Sequence, residues 1–376
     1  MSSSYRFDLA TEADDGALRA ILKNTSMPGE ISLSFQREPS FFAAERAGNL
    51  CSQVIAARET ASGAIVGLAS RSFRKMFIDG EVAIGGYLSN LRGMPQVRGG
   101  PLLARGYRFL KDLHGDGRTP FYVTTILDGN DNAKELLTSR RAGLPVYHPL
   151  GRLHTYLIPL YKWRRLPSQG PTSQGPKVIK GMSGDQLAAA VANLNSHNRR
   201  HQFGPCYTSQ DLKGDTQLLP GFSPKNLYGY QGRSGLTATL GVWDQTSFKQ
   251  SVVTDYSRRY RLARPLFDIG ALFGVTLKLP KIGRPFPYLY GAFLSHAPGC
   301  EKHLETLLLA ALKDWSRRGY TYLMIGAHER SPLTSMFQRY AAGRKSSMAY
   351  LVYWEDSLKH PLPSAALIPH LEIATL

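Results

Sequence analysis

Gly85-Gly86-Tyr87-Leu88-Ser89-Asn90 recurs 206 residues later as Gly291-Ala292-Phe293-Leu294-Ser295-His296. Each copy is followed by a long apolar-periodic stretch ending in Leu110-Lys111-Asp112-Leu113 or Leu312-Lys313-Asp314-Trp315. A second β-like run comes next, Phe121-Tyr122-Val123-Thr124 in one case and Tyr320-Thr321-Tyr322-Leu323 in the other. Matching positions stay 206, 202 and 200 residues apart along this stretch. Self-similarity at nearly constant spacing marks repeated supersecondary units. The reading is a tandem duplication of one α/β unit.

The two openings agree. Tyr5-Arg6-Phe7-Asp8-Leu9 reads as a short strand, followed by Thr11-x-x-Asp14 ahead of Ala17, Leu18, Ile21 and Leu22. Lys177-Val178-Ile179-Lys180 is followed by Ser183-x-x-Gln186 ahead of Leu187, Val191 and Leu194. Both have the form of a capping box before a helix.

A length of 376 residues predicts two domains. The boundary falls in a polar Gly/Pro/Ser/Gln linker at 164–177, between an N-terminal domain at 1–163 and a C-terminal one at 178–376. The second half is longer, and a basic, aromatic, proline-interrupted insertion is expected near 258–287. No apolar run is long enough to span a bilayer, and Met1-Ser2-Ser3-Ser4-Tyr5-Arg6 has no apolar signal core. Cys51, Cys206 and Cys300 are scattered, without metal-ligand spacing. A reduced cytoplasmic protein with no metal and no membrane partner is the expectation. The net charge of +18 is spread over both halves as isolated pairs such as Arg140-Arg141 and Arg258-Arg259. It is either a solvated basic surface or a cleft that attracts a polyanion.

The segment from Leu88 to Leu110 carries the chemistry. A strand starting at Glu81 leads into Met94-Pro95-Gln96-Val97-Arg98-Gly99-Gly100-Pro101 and then a helix through Leu102, Leu103, Tyr107 and Leu110. A Gly-rich turn at a helix N-terminus leaves amides pointing outward beside the positive end of the dipole, which suits a pyrophosphate. Arg98 could add a charge-assisted bond to the same phosphate. Taken alone, the stretch is equally an ordinary Gly-Pro turn.

In context it resembles the acetyl-CoA loop of the GNAT N-acetyltransferase superfamily, Gln/Arg-x-x-Gly-x-Gly/Ala, with Pro101 at the last position. Asn130-Asp131-Asn132-Ala133 resembles the family's Asn-x-x-Ala helix opening. The resemblance implies an α/β (α+β) protein built as a tandem duplication of the GNAT acyl-CoA N-acyltransferase fold. Each half would be a mixed, mostly antiparallel central sheet flanked by helices. It further implies acetyl-CoA or another acyl-CoA as cosubstrate, held by Leu91, Gly93, Gln96, Arg98, Gly99, Gly100, Leu102 and Asn130. In the second half Ala297-Pro298-Gly299-Cys300-Glu301-Lys302-His303 takes the loop's place, and Glu301 would repel a phosphate.

The family's usual general acid, a tyrosine, is replaced by Leu137, leaving Tyr147 as the nearest substitute. Glu81, opening the fourth strand of that half, is the candidate base. His197 and His201, four residues apart in Asn195–Phe203, read as a cleft lining or a polar helix end, with no third metal ligand evident. The implied function is transfer of an acetyl group to a small-molecule or peptide amine near the junction of the halves. A Fem-like aminoacyl transferase drawing on charged tRNA is the alternative that the positive charge favours. A non-catalytic binding protein on a degenerate fold is the other.

Overall fold

The computed structural model describes residues 5–94, 100–140, 143–164, 177–233, 235–273, 275–358 and 361–376. The first half runs β1 (Tyr5–Leu9), α1 (Asp15–Asn24), β2 (Ile31–Gln36), α2 (Phe41–Glu45), β3 (Cys51–Glu59), β4 (Ile65–Ile78), β5 (Glu81–Gly93), α3 (Gly100–His114), β6 (Tyr122–Leu127), α4 (Asp131–Thr138) and β7 (Val146–Pro159). The second runs β8 (Lys177–Lys180), α5 (Gly184–Arg199), α6 (Ser209–Lys213), β9 (Leu227–Gly232), β10 (Gly235–Trp243), β11 (Gln250–Tyr256), α7 (Arg258–Leu272), β12 (Tyr288–His296), α8 (Glu301–Trp315), β13 (Tyr322–His328), α9 (Leu333–Tyr340) and β14 (Gly343–Tyr353). Of the linker read at 164–177, residues 165–176 lie outside the described residues.

Local rules account for the helices. The Thr11 amide donates to the Asp14 carboxylate at 2.9 Å, and Leu18, Ile21 and Leu22 on α1 are buried as their spacing requires. Ser183 stands at the N-cap of α5 in extended conformation but makes no side-chain cap bond, so only one of the two expected boxes closes. α5 still buries Leu187, Ala190, Val191 and Leu194 along one face, because tertiary burial rather than the cap holds it.

Twelve strands form one sheet in the order β1-β3-β4-β5-β6-β14-β7-β13-β12-β10-β9-β8. Among the described residues, only β5/β6 and β12/β13 pair as parallel strands. The order reads alike from either edge and centres on the β14/β7 pair, as a duplicated unit should. The last strands have changed places. β14, from the second half, pairs with β6, and β7, from the first, pairs with β13. β7 and β14 also pair with each other along their length, from Gly343↔Leu157 to Tyr353↔Val146. The two repeats therefore share one continuous sheet.

Two apolar clusters line the helix faces. One joins Leu88, Tyr122 and Ile126 to Tyr107 and Leu110 of α3, and the other joins β12 and β13 to α8 and α9. A third lies on the opposite face between the halves, where Tyr87 and Val123 meet Phe203, Tyr207, Phe293 and the C-terminal stretch Leu371, Ile373 and Ala374. Between β10 and β12 the second half inserts β11 and α7. β11 pairs antiparallel with β2 of the first half, making a separate two-stranded sheet.

Candidate functional site

A β-bulge sets the site. The β4/β5 register shifts between Leu68 and Ser70, opposite Arg92 and Ser89, and Asn90 takes a left-handed conformation (φ 54°). Asparagine tolerates that region better than most residues. β5 pairs with β6 only at Gly86↔Tyr122 and Tyr87↔Val123, and then the two strands separate. Gly86 permits this crossing, since a Cβ there would lie 2.3 Å from the Tyr122 ring. Where the ladder ends, the Thr124 hydroxyl donates to the Leu88 carbonyl at 2.8 Å. The described part of α3 begins at Gly100, beyond the same end of β5.

β12 repeats the bulge with Phe293 at φ 55°. A phenylalanine in that region is strained. Thr239 Oγ1 donates to its carbonyl, its amide donates to Glu372 Oε2 at 2.8 Å, and its ring packs on Phe222 and Tyr207. The bulges lie 203 residues apart, whereas the motif that revealed the repeat lies 206 apart. The duplication is real, but the matching hexapeptides are out of structural register.

The cofactor residues expected from sequence divide by position. Gln96, Arg98 and Gly99 lie outside the described residues. Gly100 opens α3, Leu102 is half-buried in its first turn, and Asn130 stands at the N-cap of α4. Leu91 and Gly93 follow the bulge, with Leu91 40% exposed and Gly93 paired to Gly67. The two catalytic candidates are not brought to this end. Glu81 sits exposed just after the Asp79-Gly80 hairpin turn, at the opposite end of β5. Tyr147 is buried on the α3 face with its hydroxyl paired to that of Tyr107, and burial raises its pKa well above the ordinary value. Its place is in the packing.

On the other face, a cavity of about 330 Å³ lies between the halves, lined among others by Arg74, Tyr87, Val123, Tyr207, Asp211 and Glu372. A smaller extension shares Asn49, Arg74, Tyr87 and Thr375 with it and reaches Glu45, Asn90 and Lys249. Arg74 is fixed by Asn49 Oδ1 at 2.6 Å and the Thr375 carbonyl at 2.6 Å, and its guanidinium lies over the Tyr87 ring. Glu45 accepts from Asn90 Nδ2 at 2.7 Å through Oε1, while its buried Oε2 has no hydrogen-bond partner. An unsatisfied buried carboxylate oxygen beside the bulge calls for a ligand or water. Burial, with Arg37 and Arg74 nearby, depresses the Lys249 pKa well below its usual value, and its Nζ donates to the Leu376 carbonyl. Burial pushes the Glu372 carboxyl up to about 7, against the opposing pull of the Phe293 and Ala374 amides. A carboxyl poised near neutrality in a cleft suits proton transfer. Sequence reading missed Glu45, Arg74, Lys249 and Glu372. No local motif flags them, and only the fold collects them.

The segment 195–203 ends α5 and runs on beside the cavity. Phe203 lines the cavity. His197 and His201, at the end of α5, meet His296 from β12 and His370 from the C-terminal stretch, with ring centroids 4.5–5.9 Å apart. Arg200 Nη2 lies 3.4 Å from His197 Nδ1, and Glu301 lies 3.6 Å from His296 Nδ1. Among the described residues no group of three such side chains is placed to hold a metal ion. Burial first, then the neighbouring histidines, lowers His197, and likewise lowers His370 to about 3. Burial also lowers His201. Depressed folded values leave the unfolded chain with more protons below its ordinary pKa of about 6.5, so stability is full above that pH and falls as pH drops toward 3. His370→Phe is expected to flatten this acid limb in denaturant titrations between pH 4 and 7.

The second half has its own geometry at the place read as a degenerate phosphate loop. Glu301 opens α8, where its charge complements the helix dipole, and His303 stacks on Tyr230 at 3.9 Å.

The architecture is two α/β units of one fold in tandem, sharing a sheet, and this fold is found in known N-acyltransferases. The chain is similar to N-myristoyltransferase of Saccharomyces cerevisiae solved with bound myristoyl-CoA (TM-score 0.57, 12% identity, 94% of this chain and 83% of that one). A structure of that enzyme with myristoyl-CoA and inhibitors gives TM-score 0.55 at 10% identity, over 99% of this chain and 87% of that one. The GCN5-related glucosamine N-acetyltransferase region of a fungal multi-domain β-N-acetylglucosaminidase gives TM-score 0.56 at 12% identity, over 94% of this chain and 38% of that one. At such identities the likeness is one of fold. No protein-family model matches the chain, and no curated protein matches it in sequence.

Proposed function

We propose that this protein is an acyl-CoA-dependent N-acyltransferase, with acetyl-CoA as its donor. The reading is carried by one arrangement. The β5/β6 ladder opens at the Asn90 bulge, α3 begins beyond that end, and a cavity with buried ionisable groups lies against the Tyr87 face of the same strand. The donor would lie along Leu91–Gly93, with its pyrophosphate on Gln96, Arg98, Gly99 and Gly100 and its arm flanked by Leu102 and Asn130. The acceptor, a small-molecule or peptide amine, would enter the cavity. The neutral amine attacks the thioester carbon directly in a ternary complex. A C–N bond forms, the C–S bond breaks and coenzyme A leaves as the thiolate, while the amine's proton passes to Glu372 and from there, directly or through solvent, to the departing sulfur. Glu45 would hold the bulge through Asn90. Holding both reactants in one geometry supplies much of the rate gain.

The test is calorimetric titration of the protein with acetyl-CoA, myristoyl-CoA and free CoA, beside an Arg98→Ala/Gly99→Pro double variant. Saturable binding weakened at least tenfold in the variant, about 1.4 kcal/mol, is expected. Tighter binding of the myristoyl than of the acetyl donor would change the acyl group and leave the reaction class standing. No binding of any of the three would overturn the reading and direct attention to charged tRNA.

A further inference from the structure

The inserted helix α7 carries a surface that the acyl-transfer reading leaves unused. Its inner side, through Tyr260 and Phe267, packs with Val253 and Tyr256 of β11 and Leu33 of β2. Its outer side is apolar and open. Leu262 is 82% exposed, Leu266 71% and Ile269 55%, and the spacing i, i+4, i+7 puts them on one stripe. The stripe continues into the exposed Phe273 and Val275 after the helix, and Ile282 follows on the returning strand of chain. Among the described residues, six of the eleven exposed large hydrophobic residues fall in this one stretch, so it is a patch rather than the ordinary scatter of surface leucines.

The charges around the patch are mostly positive, the exceptions being Asp255 and Glu30, which accepts from Ser257 at the N-cap of α7. Arg258, Arg259, Lys278, Lys281 and Arg284 are all exposed. Arg261 is also exposed and pairs with Asp255 at 2.6 Å, and Asp255 is the only exposed acid from 255 to 285. The other acid there, Asp268, has a buried carboxylate oxygen and does not face outward with the stripe. An apolar stripe flanked by cations and nearly free of anions is the pattern of a helix lying in a membrane interface. The apolar side chains enter the acyl boundary while the arginines and lysines meet anionic headgroups. An acidic protein groove would share the charge argument but not the form of the stripe, which stands on a convex, outward helix followed by further exposed apolar residues in irregular chain. None of these residues lines the cavity between the halves.

We infer that α7 and the segment through Arg284 dock this protein onto an anionic lipid surface, peripherally and with the helix lying in the interface. Spanning is not involved, because among the described residues no helix is long and apolar enough to cross a membrane.

The test is sedimentation of the full chain with phosphatidylcholine vesicles, with and without phosphatidylserine. Binding is expected only with phosphatidylserine, declining as salt rises. A Leu262→Glu/Leu266→Glu variant should lose at least tenfold in apparent affinity. Both side chains already face solvent, and near-UV circular dichroism checks that the fold persists. Arg258→Glu/Arg259→Glu, which leaves the apolar stripe intact, should weaken binding to the anionic vesicles as well. Failure of the wild-type chain to sediment with phosphatidylserine vesicles overturns the inference, as does binding unchanged in both variants. Light scattering that finds a dimer dissolved by Leu262→Glu/Leu266→Glu, without vesicle binding, would assign the face to a second copy of the chain and overturn it too.

Discussion

Replacing Glu372 with glutamine is expected to lower kcat by about 10²–10⁴ while making the protein more stable at pH 8. The two effects share one cause. Burial holds the Glu372 carboxyl near pH 7 although its ordinary value is 4.5. Between those values the folded chain keeps a proton that the unfolded chain has released, so stability falls as pH rises through that window. It is unaffected below about 4.5, and the cost is complete above about 7. A shift of this size corresponds to about 3 kcal/mol. Glutamine carries no charge at any pH, and its side-chain oxygen can still accept the Phe293 amide. Loss of the charge-assisted character of that bond offsets part of the gain, leaving a net rise of about 1–2 kcal/mol at pH 8 and little change at pH 4. Chemical denaturation at the two pH values measures the stability effect, and the pH profile of kcat/KM measures the catalytic one. Full activity in Glu372→Gln across pH 6–9 would sink the proton-acceptor role. A merely structural glutamate would instead give lower stability at both pH values.

Arg71→Met is expected to destabilise the fold by about 3–5 kcal/mol, the cost of breaking a buried ion pair from one side. Arg71 is fully buried on β4. Its guanidinium donates to both oxygens of Asp116 at 2.7 and 2.9 Å, to the Tyr122 hydroxyl at 2.8 Å, to Gln53 at 2.8 Å and to the Leu113 carbonyl at 3.0 Å. One planar group thus ties the end of α3 to β3, β4 and β6. Methionine fills much of the volume but strands these partners, and a buried acceptor left unpaired costs about 1–3 kcal/mol. Asp116 can turn toward water, being about one-third exposed, which keeps the total from running higher. Arg71→Lys should recover only part of the loss, since a point charge cannot reproduce the fork. Urea unfolding followed by tryptophan fluorescence measures the effect. A loss under 1 kcal/mol for Arg71→Met would show that this node is not what anchors α3.

Much of the fold was readable beforehand. The paired strand–helix–strand runs and the capping signals at Thr11 and Ser183 led to tandem α/β units, and the family resemblance implied the mixed, mostly antiparallel sheet. Their correspondence in space was read less well. Ser89 and Ser295 match in sequence, but the bulges lie at Asn90 and Phe293, because bulge position depends on how β5 meets β4 and β12 meets β10. The exchange of β7 and β14 was likewise unreadable. β7 follows β6 in the chain and β14 follows β13, yet β7 pairs with β13 and β14 with β6.

The site divides in the same way. The Gly-rich stretch before α3 is read from residue order and from its family resemblance, which is how Gln96, Arg98, Gly99, Gly100 and Asn130 were named; Gln96, Arg98 and Gly99 lie outside the described residues. Glu81 could be named too, but strand direction carries it to the far end of β5, and Tyr147 packs its hydroxyl against Tyr107. Glu45, Arg74, Lys249 and Glu372 are ordinary charged residues in sequence, separated by up to hundreds of positions. They acquire chemical character only when the interface between the halves removes them from water and brings them together; for Arg74, Lys249 and Glu372, desolvation then moves the proton affinity away from the ordinary value. Sequence by itself determined the duplicated unit and most of its secondary elements, governed by short-range spacing. The strand exchange, the bulge register and the buried ionisable groups were decided by tertiary structure, because each depends on contacts between residues far apart in the chain.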